Sequence, residues 1–437
     1  MTNWARKFYQ SRVFWGMFLA TVILHCCRKN FDFVRPILEK NFQFSLFELG
    51  LISAAFSLLY ALGKFLAGFY IINCSVKKAL AFCLLGTGIL NCLFPFFPFL
   101  ADSCYATHIH LFNLIICMLL WGINGAMQAP STAASAKGLV QWFWPSKRFF
   151  VWGVYTSSAL IGFYLIGSSI RIFLHWNLWQ LAFIAPGIVS LIYAIAVLWL
   201  LPEFRSKKRK NSSATTNHSS KPQFSTRGVW LKVITNKSIW CLSCTLALIY
   251  YMYFCIFSWG TLFLTQDKHF GLSTAIAILS VVPFAGILGT LFTGWLIDML
   301  PARQKFKIFI IQLLILSLFV LYLWKSTPSF FPTSILLSLF CACIVSLRDL
   351  LGGNQCAILV STQEVPVAIG FSSLFSYVGA ILADLIIGIV VPSYGWKALY
   401  ISILAAIFIA LLLLVRLDFL TSQSQHNKFD KLNTAKN

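Results

Sequence analysis

Charge is scarce in this chain. Only 11% of its 437 residues are charged and just 12 are acidic. Set against 59% hydrophobic residues and a mean hydropathy of +0.80, so few ionic groups exclude an ordinary soluble protein. The apolar/polar alternation that builds a transmembrane barrel is also missing. Apolar runs instead continue for about 20 residues at a time, the length a helix needs to cross a bilayer. Only helices or closed barrels satisfy their backbone groups in lipid, so the fold class is an all-α membrane protein. No Walker sequence, dinucleotide fingerprint or nucleophile elbow is present, and nothing supports an enzyme or a bound cofactor. The thirteen cysteines lack the histidine or acidic company of a metal site. Cys26–Cys27, Cys241-x-x-Cys244 and Cys341-x-Cys343 read as small apolar packing residues. A cleavable signal peptide is not evident, because the first apolar run is long, charged and without a small-residue cleavage site.

Twelve apolar runs are present, at roughly 12–38, 46–72, 77–100, 108–140, 147–173, 177–201, 238–265, 271–299, 305–325, 331–361, 366–392 and 396–417. The fourth and tenth are long enough to imply tilt or extension beyond the bilayer. A net charge of +22 would suggest a nucleic-acid partner in a soluble protein, but the placement of these charges argues against one. Lys and Arg crowd the N-terminus, alternate connections and the tail, whereas the opposite connections hold only Lys40, Arg171, Lys268, Lys325 and Lys397. The positive-inside rule then places both termini in the cytoplasm, which fits a bacterial inner membrane, with an endoplasmic reticulum membrane the alternative. The basic connection also offers contacts to anionic membrane lipid. Asn211 and Asn217 open Asn-x-Ser sequons in that connection, where glycosylation is not expected.

Residues 202–237 are basic and rich in Ser, Thr and Asn, a flexible cytoplasmic linker between six-helix halves at 1–201 and 238–417, with a tail at 418–437. The halves echo each other. Gly63-Lys-Phe-Leu-Ala-Gly68 ends the second run and Gly289-Thr-Leu-Phe-Thr-Gly294 ends the eighth, at an offset of 226 residues. Parallel six-helix repeats related by an axis along the membrane normal are one way a transporter builds a central site.

The chemistry-bearing residues are charges inside apolar runs. Arg28 and Lys29 lie in the first, Arg28 roughly 20 Å from its start and so within a ~30 Å hydrocarbon core. An arginine there costs about 2.5–3.5 kcal/mol on insertion scales and is expected to face a polar cavity and bind an anion. Thr21, His25 and Arg28 share one helical face, with Lys29 about 100° round. The planar guanidinium of Arg28 suits bidentate binding of phosphate or carboxylate; the alternative is a structural acid or carbonyl partner. For Lys29 a packing or ion-pair role is the simpler reading. In the second run Tyr60 and Lys64 also share a face, Lys64 either binding an anion or snorkelling to the surface. Lys137 carries the same two readings, and Gln128 would hydrogen-bond either a sugar hydroxyl or a neighbouring helix. In the tenth run Arg348 stands beside Asp349, close to Gly352-Gly353, which allows a bend or close helix approach.

Taken together, Arg28-Lys29-Asn30-Phe31 with Pro36, then Gly63-Lys64-Phe65, resemble the organophosphate:phosphate antiporters of the major facilitator superfamily. Gln128, Lys137, Trp142-Phe143-x-Pro145-Ser146, Trp152 and Trp259-Gly260-x-x-Phe263-Leu264-x-Gln266 are similar to the glucose-6-phosphate branch of that family. The resemblance runs along essentially the whole chain. It implies a secondary transporter that exchanges a sugar phosphate, most directly hexose 6-phosphate, for inorganic phosphate by alternating access; a monomer is the expectation, though the resemblance does not fix it. Arg28 matches the family's substrate-binding arginine, Tyr60 and Lys64 its second-helix tyrosine and lysine, and Tyr377 an aromatic of the eleventh helix. Asp298 and Arg303 resemble its cytoplasmic gating loop, which the first half lacks, having Ile72 and Asn73 there. Two positions depart from the pattern. The fifth-helix histidine falls at Thr156, and the seventh-helix cation falls at Tyr253. Arg348 is the candidate to supply the missing charge, its rival role being a pair with Asp349 or Asp384. A carrier of another organic anion, or a sugar-phosphate sensor that does not transport, are the competing readings.

Overall fold

The computed structural model describes residues 3–71, 74–96, 107–142, 148–202, 226–300, 305–356, 359–361 and 364–434, and its regular elements are helical, with no strand among these residues. In the N-terminal half run α1 (Asn3–Phe42), α2 (Leu46–Tyr70), α3 (Val76–Leu93), α4 (Thr107–Gln128), α5 (Pro130–Trp142), α6 (Arg148–His175) and α7 (Leu181–Leu200). A short α8 (Thr226–Thr235) leads into α9 (Lys237–Phe257), α10 (Gly260–Gln266), α11 (Leu272–Val281), α12 (Pro283–Asp298), α13 (Lys305–Lys325) and α14 (Phe330–Asp349). A π-helical turn (Leu350–Gln355) precedes α15 (Val365–Tyr394) and α16 (Lys397–Thr434). Most of the linker, the two sequons, Ile72, Asn73, Arg303 and the Phe143–Ser146 part of the tryptophan motif lie outside the described residues.

Among the described residues, eleven spans are long and apolar enough to cross a membrane on composition alone. The twelfth, α1, fails that criterion for an informative reason: Arg28, Lys29, Asp32 and Arg35 sit in its middle. It nonetheless runs 40 residues, about 60 Å, and packs along α6 and α7.

Four spans are broken rather than straight. Pro130 separates α4 from α5 and Pro283 separates α11 from α12, since proline removes a backbone donor and restrains the residue before it. The seventh span breaks at Ser258–Trp259, and the tenth passes into the π-turn that contains Gly352 and Gly353. Irregular backbone at membrane depth is tolerated where it is buried in protein or lines a cavity, and these breaks fall beside the central cavity described below.

The repeat is visible in packing. A Cβ on Gly63 would stand 2.8 Å from the Cβ of Ala129, and one on Gly289 would collide with the backbone of Ala342. The second span thus seats on the fourth as the eighth seats on the tenth, with glycine setting the approach in both. Between the halves, α2 faces α15 and α6 faces α11, pairs that a two-fold axis would exchange.

Candidate functional site: a cationic cavity between the halves

A cavity of about 690 Å³ lies between the halves, lined from α1, α2, α4, α6, α9, α12, α14 and α15. Its composition is graded. Arg28, Lys29 and His25 come from α1, Thr156 and Ser157 from α6, Tyr250 and Tyr253 from α9, Arg348 and Asp349 from α14, and Tyr377 from α15. Ser53, Ser258 and Asp384 form its deep end; Thr290 and the 65% exposed Leu291 mark the side nearer the chain termini.

The Arg-Lys-Asn-Phe element shows how one helix serves several jobs, because each residue advances ~100°. Arg28 turns into the cavity. Its Nε donates to Oε1 of the buried Gln128 at 3.0 Å, and its guanidinium lies 4.3 Å from the Tyr60 ring centre. Among the described residues it makes no ion pair, so the acid partner weighed from sequence is not found. Lys29 reaches the same cavity, but its Nζ is held 2.7 Å from Asp32 Oδ2. The simpler sequence reading of Lys29, an ion pair, is what the structure has. Asn30 and Phe31 turn away: Asn30 Nδ2 donates to Asn91 Oδ1 at 2.8 Å and to the Ala182 carbonyl at 3.1 Å. Phe31 packs on Phe94 and Trp121.

Of the residues marked from sequence, His25, Arg28, Thr156, Tyr253, Arg348 and Tyr377 line the cavity. His25 Nδ1 donates to the Thr21 carbonyl at 2.9 Å, which leaves Nε2 as the acceptor. Tyr60, Lys64 and Gln128 stand one layer back. Tyr60 and Gln128 hold Arg28, and Lys64 Nζ lies 5.5 Å from the Tyr377 ring centre. Lys137 Nζ donates to the carbonyls of Ile71 and Cys74, at 3.0 and 2.7 Å. Asp298 is exposed at the end of α12, and its proposed gating partner Arg303 lies outside the described residues.

Arg348 is where the departure from the family pattern resolves into geometry. Its guanidinium lies 5.0 Å from the centre of the Tyr253 ring, and its Nε donates to Asp349 Oδ1 at 2.8 Å. The cation therefore hovers over the position at which a seventh-span cation was expected. The alternative pairing with Asp384 is corrected. Asp384 is bound by Arg35, whose Nη2 stands 3.2 Å from its Oδ1. The reason is depth: measured from the end of the bundle opposite the termini, Arg348 lies about 27 Å along α14 and Asp384 only about 15 Å along α15.

Arg35 and Asp32 were not singled out in the sequence, yet they form the polar core of the seam. Arg35 is wholly buried. It donates to Ser53 of its own half and to Ser258 and Asp384 of the other. The signal was available in the i, i+3, i+6 spacing of Lys29, Asp32 and Arg35, which places alternating charges along one face. Around them, Thr261 Oγ1 donates to the Asp32 carbonyl at 2.9 Å, Gln266 Nε2 donates to Glu39, and Arg171 Nε donates to Ser273. These contacts between halves gather at the end opposite the termini, which they close.

Twelve spans in two related halves around a cavity at their interface define a secondary-transporter architecture. The sequence model of the Major Facilitator Superfamily matches residues 17–351, and the chain belongs to that superfamily. It is 26% identical over 428 residues to a probable hexose phosphate transport protein of Chlamydia pneumoniae, covering 93% of this chain and 90% of that one. It is 23% identical over 428 residues to the membrane sensor protein UhpC of Escherichia coli strain K12, covering 96% and 94%. These relatives fit the organophosphate:phosphate antiporter family that the motifs resemble. Among solved structures, a bacterial homologue of the human lysosomal transporter Spinster superposes with a TM-score of 0.71 at 16% identity, covering 95% of this chain and 97% of that one. That likeness carries the fold.

Proposed function

We propose that this chain is an organophosphate transporter that exchanges hexose 6-phosphate for inorganic phosphate by alternating access. The observation that carries the reading is Arg28: a guanidinium facing a cavity, oriented by Gln128 and Tyr60, and without an acid to neutralise it among the described residues. Such a fork is built for the oxygens of a phosphate dianion. Arg348 approaches from the other half and is the second phosphate ligand. Its charge is already paired with Asp349, so Arg28 dominates. The tyrosine rings of α9 and α15 and the hydroxyls of Thr156 and Ser157 offer surfaces and hydrogen bonds to a sugar. A cavity of about 690 Å³ lies within the range of small-molecule sites.

Alternating access follows from charge. In the empty cavity Lys29 is paired with Asp32 and Arg348 with Asp349, which leaves the Arg28 charge under-neutralised; a phosphate species relieves this and lets the halves rearrange. Exchange is then favoured over net flux, because the empty carrier reorients poorly. The termini lie in the cytoplasm of a bacterial cell, on the charge asymmetry of the connections, so the cavity opens inward in this structure. Uptake of radiolabelled glucose 6-phosphate into proteoliposomes tests the reading, with uptake expected only when phosphate is loaded inside. Equal uptake without internal phosphate would show a uniporter; binding without uptake would show a sensor, the reading that the UhpC likeness favours.

A further inference from the structure

Four charges form an unbroken alternation from the cavity wall to the closed seam. Lys29 meets Asp32 Oδ2 at 2.7 Å; Asp32 Oδ1 stands 3.7 Å from Arg35 Nη2; Arg35 Nη2 meets Asp384 Oδ1 at 3.2 Å. The first three belong to α1 and the last to α15, so the chain of charges crosses between the halves at its final link. Ser258 reinforces that link from α9's end, accepting from Arg35 at 2.6 Å and donating to Asp384 at 2.8 Å. The Arg35 guanidinium also lies 4.5 Å from the ring centre of Trp259, another residue of the C-terminal half.

Two features set this apart from a permanent structural tie. Asp32 is shared unequally between two cations, one of which, Lys29, faces the cavity beside the phosphate ligand Arg28. And Arg35, although wholly buried, leaves Nε and Nη1 without a hydrogen-bond partner, as Trp259 leaves its Nε1. Unmade donors in a dry interior weaken the state that contains them. The clasp is thus closed but under-satisfied, which is the condition for an element with two accessible arrangements.

The geometry points to Asp32 as a positioning residue that couples occupancy of the cavity to the Arg35–Asp384 clasp. A phosphate dianion held by Arg28 draws the neighbouring Lys29 toward itself. Asp32 loses its close partner and takes up Arg35, already 3.7 Å away. Arg35 is thereby shared away from Asp384, and the end opposite the termini is released. Without an anion, Lys29 occupies Asp32 and the clasp holds, which accounts for an empty carrier that does not reorient. The inference rests on the proposal that the cavity binds a phosphate group.

Hydrogen–deuterium exchange of the full chain in nanodiscs tests it, read on peptides spanning 260–281, which carry Thr261 and the α11 seam. Inorganic phosphate is the probe, and its affinity is measured in parallel. In the wild type, phosphate should raise deuterium uptake there about twofold or more. Asp32→Asn should bind phosphate at least as tightly, because Lys29 is freed, yet lose the phosphate-driven rise. Asp384→Asn should show high uptake without phosphate, and the charge exchange Arg35→Asp with Asp384→Arg should return it to the low level. A phosphate-driven rise that survives Asp32→Asn overturns the coupling, and an unchanged basal uptake in Asp384→Asn overturns the clasp. A wild-type chain that binds no phosphate overturns the transport reading and the coupling with it. The ligand-free comparison of wild type, Asp384→Asn and the charge exchange then still decides the clasp separately.

Discussion

The N-terminal half presents the cavity with Arg28, Lys29 and His25 from a single helix, whereas the C-terminal half presents Tyr250, Tyr253, Phe254 and Tyr377, with Arg348 its one cation among the lining residues. Most of these residues lie on α1 and α9, which the repeat relates, so the scaffold is symmetric and the chemistry is not. Arg28 shifted by the 226-residue offset falls beside Tyr253, a ring where the other half has a guanidinium. A sugar phosphate has the same asymmetry, with charge concentrated at one end and a hydroxylated ring at the other. On this comparison the N-terminal wall fixes the phosphate and the C-terminal wall receives the sugar, with Arg348 a lesser electrostatic partner.

The largest expected effect is therefore at Arg28. Arg28→Gln should lower glucose 6-phosphate exchange by roughly 100-fold or more, the loss expected when one partner of a desolvated charge pair is removed. Arg28→Lys should recover little, since an ammonium reproduces neither the fork nor the stacking on Tyr60. Both are read from initial exchange rates in phosphate-loaded proteoliposomes.

Arg348→Gln should cost less, about tenfold, and part of that loss is repulsion from the Asp349 carboxylate left facing the cavity. The double variant Arg348→Gln with Asp349→Asn should accordingly transport better than Arg348→Gln alone. Adding Tyr253→Arg to Arg348→Gln returns a cation to the seventh span, close to where the guanidinium now stands, and should restore exchange. A loss at Arg348 equal to that at Arg28 would break the comparison; normal transport by Arg348→Gln would remove Arg348 from the site.

How far the sequence carried this reading follows from the range of the interactions involved. The spans and the importance of Arg28 were legible because a charge within an apolar run is a local anomaly with a known energetic cost. The pairing of Lys29 was legible in principle from three residues of spacing. The clasp was not, because Arg35 and Asp384 are separated by 349 positions and meet only through the packing of α1, α2 and α15. Of the two rival partners for Arg348, Asp349 and Asp384, sequence alone does not exclude Asp384, since antiparallel spans reverse the relation between chain position and depth. Lys64 shows the converse: its spacing gives the face it shares with Tyr60, but the α2–α15 packing puts Tyr377 between it and the cavity.

A smaller effect should sharpen the role of the layer behind the N-terminal wall. Gln128 is wholly buried, receives the Arg28 Nε–H and is itself held by a hydrogen bond to Asn124 Oδ1 at 3.1 Å. Gln128→Leu should leave the cation in place but free to rotate. The expected result is a three- to tenfold weaker affinity, of the order of one lost hydrogen bond to a charged group, with less change in maximal rate. A loss confined to maximal rate would instead place Gln128 in the conformational step.

The smallest expected effect lies at the closed end, where the contrast is between a sealed seam and an open mouth. Glu39, just beyond the first span, accepts from Gln266 Nε2 at 2.9 and 2.7 Å across the halves. Burial in the closed seam pushes its carboxyl above the usual range, partly opposed by those hydrogen bonds. When the seam opens, Glu39 returns to water and to its ordinary value. The closed form therefore binds the proton more tightly, and its advantage is full below the ordinary value and fades as pH rises through the raised one. Raising pH across that window should promote opening, seen as about twofold higher deuterium uptake over 260–281. Glu39→Gln should remove the pH dependence and retain the closed state. A variant that still responds to pH in that window would assign the titration to another group at the seam.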